Sequence, residues 1–387
     1  MTTSRGRRPR ALPRDIVASA TGAVLYSLAL SIASVALPLL AVRAGYSATG
    51  IGALTAVSAL AQMATRLCLG AVMRRWPDWT LIAGAGLLLA VSNAIVALSA
   101  ALAVFVLAEL LQGVSRACFW TGSQTHVVRG PGRAAGTLAT VNLVSSAGLL
   151  AGPVAAGLLS ERTPGLALAI AAVIAAVGMA PAFLLDRLPP FAPPEDRAPG
   201  RLWRRPGVDI GCWAGVTAGA WRALLTSYVP VALDAARQSA SVIGALVSAA
   251  NGAALVGAAL AGRIRRRPAP VVLGSIVVTS AATALTAALA SHVALSAVVL
   301  AVSGLAAGAL QVLGPAIAAE SVHPEERGEA IAASGTFRAA ALFTAPLAVA
   351  GLVVVLPLAP AVALVGAAMT VPAIALRRRT AAPEAFT

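Results

Sequence analysis

The residues able to do chemistry in this chain are few, and they stand in apolar surroundings. Glu109 and Arg116 lie in one hydrophobic stretch, Arg222 in a second and Arg338 in a third. Ionisable side chains placed this way are costly, and they mark a path, a coupling site or a structural ion pair. Glu109 and Arg116 are seven residues apart, so on a helix they return to nearly the same face, about 10 Å apart along the axis. Both can then face one cavity. Gln112 lies between them on a neighbouring line, and Trp120, one turn beyond Arg116, can stack on its guanidinium. Trp221 adjoins Arg222, and Asn142 and Gln311 are further polar candidates. Arg66 stands close enough to the end of its stretch to extend to the surface.

Burial and a nearby arginine act on a carboxyl in opposite senses, which suits Glu109 to carrying a proton. The other reading is a structural pair with an arginine. Three deep arginines against one acid make a positive cavity. The expected substrate is therefore an anion, a carboxylate or phosphate that arginine can grip through two hydrogen bonds. This separates the site from one that binds cations, which an acid would dominate.

The elements that must hold these residues are membrane helices. Hydrophobic residues make up 59% of the 387 and charged residues 11%, against roughly 25% charge in a soluble domain. The apolar runs reach about twenty residues or more, enough to cross ~30 Å of hydrocarbon. Alternating strands of a barrel are absent, which leaves helix as the way to satisfy the backbone in lipid. Spans are expected near 16–42, 48–72, 79–99, 101–126, 134–160 and 164–186. A second set is expected near 208–233, 240–262, 271–291, 293–319, 330–355 and 357–376. The organisation read from this is an N-terminal six-helix bundle over 1–186, a linker over 187–207 rich in proline and charge, and a C-terminal six-helix bundle over 208–387.

All 29 basic residues are arginine and the net charge is +15. Their distribution argues against nucleic acid. They crowd the N-terminus, the linker, the C-terminus and alternate loops, whereas the other loops hold only Arg43, Arg162 and Arg237. Positive loops stay inside, so both termini and the linker are expected in the cytoplasm of a bacterial cell, around a multi-pass protein of the plasma membrane. The first apolar run is too long for a cleaved signal. Cys68, Cys118 and Cys212 fall within spans and form no metal or disulfide spacing. His126, His292 and His323 are far apart, and no protease, esterase or nucleotide-binding pattern occurs. No enzyme activity, metal or cofactor is expected.

The second half repeats the first at an offset of 192 residues: Ser47-Ala48-Thr49-Gly50-Ile51-Gly52-Ala53-Leu54 is answered by Ser239-Ala240-Ser241-Val242-Ile243-Gly244-Ala245-Leu246. Six spans per half is an even number, so the halves enter the membrane in the same direction. The repeat keeps glycines, prolines and loops but not the buried charges: Arg222 aligns with Leu30, and Glu109 with Leu300 after one gap.

Two six-helix halves joined by an inside linker resemble the major facilitator superfamily of secondary transporters, over nearly the whole chain. In span five, Gly148, Gly152, Pro153 and Gly157 are similar to the family's antiporter signature GxxxGPxxGG, with Ala156 in place of one glycine. Between spans two and three, Gly70, Arg74 and Arg75 resemble part of the loop GxxxDRxGRR, with Arg74 where the family has Asp and Pro77 where it has Gly. In span four, Gln112-Gly113 match the family's RxxQG, and Glu109 stands where its arginine would be. The resemblance implies a proton-coupled exporter of a small organic molecule, of the drug or metabolite efflux type, working as a monomer by alternating access. The alternative is an uptake permease of the same fold for sugars, organic acids or amino acids. The partners implied are the substrate, protons and the lipid bilayer.

Overall fold

Helix satisfies its own backbone polar groups, and in the computed structural model helices make up most of the described residues (14–73, 75–129, 134–189, 202–264, 268–322 and 327–380), with no strand among them. The first half holds α1 (Arg14–Arg43), α2 (Ala48–Met73), α3 (Asp78–Leu98), α4 (Leu102–Arg129), α5 (Ala134–Ser160) and α6 (Pro164–Val177). The second holds α7 (Val208–Thr226), α8 (Tyr228–Ala235), α9 (Ala240–Ala261), α10 (Pro268–Thr286), α11 (Val293–Glu320), α12 (Arg327–Leu352), α13 (Leu358–Ala368) and α14 (Val371–Thr380). Among the described residues, eleven stretches are long and apolar enough to cross a membrane.

Spans six, seven and twelve, expected as continuous helices, are interrupted. The α-helical parts end at Val177, Thr226 and Ala368. Each lies four residues before a proline: Pro181, Pro230 and Pro372. A proline has no N–H for the carbonyl four residues back and its ring crowds that carbonyl. Beyond Val177 the chain tightens into a 3-10 turn over Ala180–Leu184. At the break in span seven, the Thr226 hydroxyl donates to the Arg222 and Ala223 carbonyls and the Ser227 hydroxyl to that of Ala223. Span seven is accordingly α7 followed by α8.

The repeat is also visible in the turns. After α1, the Gly45 N–H donates to Val42 O at 3.0 Å and the Tyr46 N–H to Ala41 O at 3.0 Å. After α8, the Arg237 N–H donates to Asp234 O at 2.8 Å and the Gln238 N–H to Leu233 O at 3.0 Å. This is one helix-ending motif used twice at the 192-residue offset. It needs a left-handed residue. Gly45 takes φ 82° without cost, and Arg237 takes φ 61° despite its Cβ. In both copies a side chain then ties the turn to the next loop. The Tyr46 hydroxyl donates to Ala100 O at 2.6 Å, and the Gln238 amide to Ala290 O at 3.0 Å.

Within the first half α1 packs on α5 and α6, α3 on α4 and α6, and α2 on α4. Within the second, α9 packs on α11, and α7 on α11 and α12. The halves meet through two repeat-related pairs, α5 with α9 and α2 with α12. Small residues let these helices approach closely. The α9–α11 contact is the tightest case: a Cβ on Gly257 would run into the Leu305 carbonyl, and one on Gly308 into that of Ala254. A Gly257→Ala variant is expected to lower the unfolding midpoint of the purified protein in detergent, with an overpacking cost of about 1–3 kcal/mol. Gly274→Ala, where a Cβ meets nothing, should leave the midpoint unchanged.

Candidate functional site

Glu109 and Arg116 line one narrow pocket between α1, α2, α4 and α7. Its wall is mixed: Leu37, Ile51, Leu54 and Phe105 are apolar, and Ser34, Thr55 and Thr226 carry hydroxyls. The cavity volume of about 30 Å³ holds on the order of two waters. Glu109 is 8% exposed. Ser58 on α2 stands beside it, with its hydroxyl toward the carboxyl. The seven-residue spacing thus does bring the acid and the cation to one cavity.

Each of the three deep arginines is held by a neutral amide. Arg116 Nη2 donates to Gln112 Oε1 at 3.0 Å, and Gln112 Nε2 in turn donates to Asn93 Oδ1 at 3.3 Å. Arg222 Nη1 donates to Asn251 Oδ1. Arg338 Nη2 donates to Gln311 Oε1 at 3.3 Å. Among the described residues, no carboxylate stands within salt-bridge distance of Arg116, Arg222 or Arg338. Arg116 Nε is buried without a hydrogen-bond partner. The charges of Arg338 and Arg116 both bear on Arg222, and that of Arg66 on Arg338. A guanidinium cannot discharge itself by losing a proton, and an amide satisfies one of its five N–H groups without cancelling its charge. The arrangement is a set of neighbouring cations with donors to spare.

The other candidates fall in different places. Trp221 is 2% exposed and donates through Nε1 to the Ser303 hydroxyl at 3.1 Å, which sets it in the packing between α7 and α11. Trp120 sits edge-on to Tyr26 and Phe119 rather than over Arg116. Arg74 lies outside the described residues, as do the surroundings of Gly70 and Asn142. Arg75 is exposed beside Trp76. Asn251 was not a sequence candidate, yet it joins Arg222 to the other half, because its Nδ2 donates to Leu149 O on α5 at 3.3 Å. A signal for it existed: it is a polar residue in an apolar span, and its repeat counterpart is Ala59.

These features sit on a fold that is shared with known transporters. A sequence profile of the Major Facilitator Superfamily matches residues 19–346. The chain belongs to the major facilitator superfamily. It is a membrane transporter, not an enzyme. Among solved structures it is similar to a mutant form of the nucleoside transporter NupG, with a TM-score of 0.77 at 12% identity, covering 94% of this chain and 99% of that one. It is also similar to a bacterial homologue of the human lysosomal transporter Spinster in an inward-facing, unoccupied conformation, with a TM-score of 0.71 at 12% identity, covering 95% and 96%. The occupied inward-facing structure of that homologue gives 0.72 at 12% identity, covering 94% of each chain. No curated protein matches the chain in sequence.

In this superfamily member the signature-like glycines of span five are contact surfaces. Gly148 and Gly152 lie against α1, where a Cβ would meet Val24, Leu28 and Ser31. Gly157 lies against Ala240 and Ser241 at the start of α9, and the Pro153 carbonyl fits against Gly244. The repeat-related contact on the other side sets Gly52 of α2 against the Pro346 carbonyl of α12 and the Tyr228 hydroxyl. That hydroxyl also donates to Ala48 O at 3.0 Å. All of this lies toward the end opposite the linker.

The same end carries a charged cap. Glu161, in the turn after α5, accepts from the Ser241 N–H at 2.9 Å and so caps α9 in the other half. Chiefly this backbone hydrogen bond, and next the Ser241 side chain, hold its carboxyl below the ordinary 4.5, with Ser239 and Arg43 helping. At the linker end, the His126 ring meets Asp15 of α1 at 3.0 Å through Nε2 and Asp78 of α3 at 3.4 Å through Nδ1. Three helix ends of the first half are stapled there.

The Glu161 cap has a definite pH sign. A depressed carboxyl contributes its contact above its ordinary value and loses it as pH falls through the depressed one. Spin labels at Arg162→Cys and His292→Cys, with the native cysteines replaced, report the separation of the halves. Glu161→Ala should lengthen that distance at neutral pH. Acid below pH 4.5 should do the same in the parent and add little in the variant.

Proposed function

We propose that this transporter moves a small organic anion across the bacterial plasma membrane by alternating access, coupled to protons through Glu109. The observation that carries this is the set of amide-held arginines beside one buried acid. Arg116, Arg222 and Arg338 supply charge and spare donors for a carboxylate or phosphate. Glu109 shares the pocket of Arg116 and has no cation within salt-bridge distance among the described residues. Gln311, Gln112 and Asn251 orient the guanidinium groups. Asn142 is kept as a lining candidate on sequence alone, and Trp120 and Trp221 pack behind the residues that line the cavity.

The positive loops assign the linker end and both termini to the cytoplasm. The glycines Gly148, Gly152 and Gly157 with Pro153 then form the external seal, and Arg75 with the arginines near it belongs to the cytoplasmic surface. The working direction proposed is export of a metabolite or drug by a monomer. Its support is the likeness of span five to the antiporter signature. Uptake is the second reading, favoured by the sharing of one pocket between an acid and an anion-binding arginine, which suits movement of both species together.

Arg222→Ala should weaken anion binding by about tenfold or more, since a lost charge-assisted contact is worth roughly 1.5–3 kcal/mol. Isothermal titration of the purified protein against matched anionic, neutral and cationic compounds measures this, and unchanged anion affinity would remove the basis for the reading. Glu109→Gln should abolish accumulation driven by a pH gradient in proteoliposomes while sparing counterflow. Transport in everted vesicles decides the direction.

A further inference from the structure

Glu109 and Arg116 open onto the same small cavity. The cavity is lined by both and is too small to keep a carboxylate from feeling either. Arg116, which lines it, also carries a buried Nε–H with no acceptor. An anion that enters this cavity to reach Arg116 must therefore sit beside the Glu109 carboxyl. Two negative charges side by side in an apolar bundle repel strongly, and one of them must be neutralised. Few other groups on the surrounding helices can relieve this. On α2 the neighbour is the Ser58 hydroxyl, on α3 the Asn93 amide behind Gln112, and on α7 Thr226 together with Arg222. From α1, Tyr26 near Arg116 is spent on the Ser115 hydroxyl at 2.7 Å. Among the described residues, no second acid stands at the pocket to take the proton instead.

We infer that the site binds its anion and a proton together, the anion at Arg116 and Arg222 and the proton on Glu109. With Glu109 ionised, its carboxylate holds the field of Arg116 and excludes the anion. With Glu109 protonated, Arg116 is free to donate through Nε, and the neutral acid can donate its own O–H to the anion. One monoanion and one proton cross as a pair, and the charge of the pair is zero. The transporter is then a cotransporter of the acid rather than an exchanger of anion for proton. Export follows when the acid accumulates inside, and uptake follows an inward proton gradient. This rests on the anion reading above and changes only its coupling.

The apolar wall of Leu37, Ile51, Leu54 and Phe105 selects the probe. Benzoate joins an apolar ring to a carboxylate that stays ionised between pH 6 and pH 8, and benzamide and benzylamine share the ring without the negative charge. Titration calorimetry of the full-length protein in detergent, in two buffers of different ionisation heat, gives both affinity and protons taken up. Benzoate is expected to bind about tenfold more tightly at pH 6 than at pH 8 and to take up a proton at pH 8. Glu109→Gln should bind at pH 8 as the parent does at pH 6, with no proton taken up. Arg116→Lys should keep the fold, checked by its unfolding midpoint, and lose about tenfold in affinity at both pH values, since Arg116 Nε has no counterpart in lysine.

Benzoate binding with no pH dependence, with tighter binding at pH 8, or with proton release overturns joint binding while the anion reading stands. Weaker binding by Glu109→Gln than by the parent at pH 6 overturns it as well. No benzoate binding at either pH, with or without binding of benzylamine or benzamide, overturns the anion reading itself, and the inference falls with it.

Discussion

A guanidinium keeps its charge wherever it is placed, and an apolar bundle offers it no water. That constraint governs the centre of this protein. Arg116, Arg222 and Arg338 are retained inside the helices by Gln112, Asn251 and Gln311, which accept hydrogen bonds but bring no negative charge. A carboxylate partner in the protein would have neutralised each cation and left nothing for a ligand. Amides do the opposite: they fix the orientation of the donors and leave the field in place. Among the described residues the one acid lining the same pocket as Arg116 is Glu109.

The scaffold around this centre follows from packing. The two halves approach through repeat-related pairs, α5 with α9 and α2 with α12, and toward the end opposite the linker glycine meets the carbonyl of a proline on each side: Gly244 with Pro153, and Gly52 with Pro346. At these two glycines the backbones of the halves come into direct contact. The centre is tied to this seam through Asn251, which accepts from Arg222 and donates to the Leu149 carbonyl across the boundary. Arg222 is thus one hydrogen bond away from a contact between the halves.

Much of this was legible in the residues. Long apolar runs gave most helix boundaries to within a few positions, because only helix hides a backbone in lipid. The interruptions were not legible. Pro38, Pro153, Pro315 and Pro346 lie inside continuous helices, whereas the helices before Pro181, Pro230 and Pro372 stop. Proline alone does not decide between a bend and a break, so no single residue signals the interruption. At the site, the seven-residue spacing of Glu109 and Arg116 was decisive because it is a property of one helix. Trp221 was misleading for the same reason: consecutive helical residues point about 100° apart, so the neighbour of Arg222 in sequence faces Ser303. Asn251 and Ser58 escaped notice because their roles depend on which helices lie beside them. The repeat helped most where it failed, since Arg222 and Asn251 replace Leu30 and Ala59 of the first half.

The deep arginines are the proposed place where an anion is held. Crystals grown with para-iodobenzoate below pH 6 test that directly, because the iodine is located by its own anomalous scattering. The expected result is one strong peak among α1, α2, α4 and α7, where the small cavity widens to admit the ring, with the carboxylate on Arg116 and Arg222, and its absence from crystals grown at pH 8. A peak only at the protein surface, or one in the cavity with the carboxylate turned away from both arginines, would contradict it.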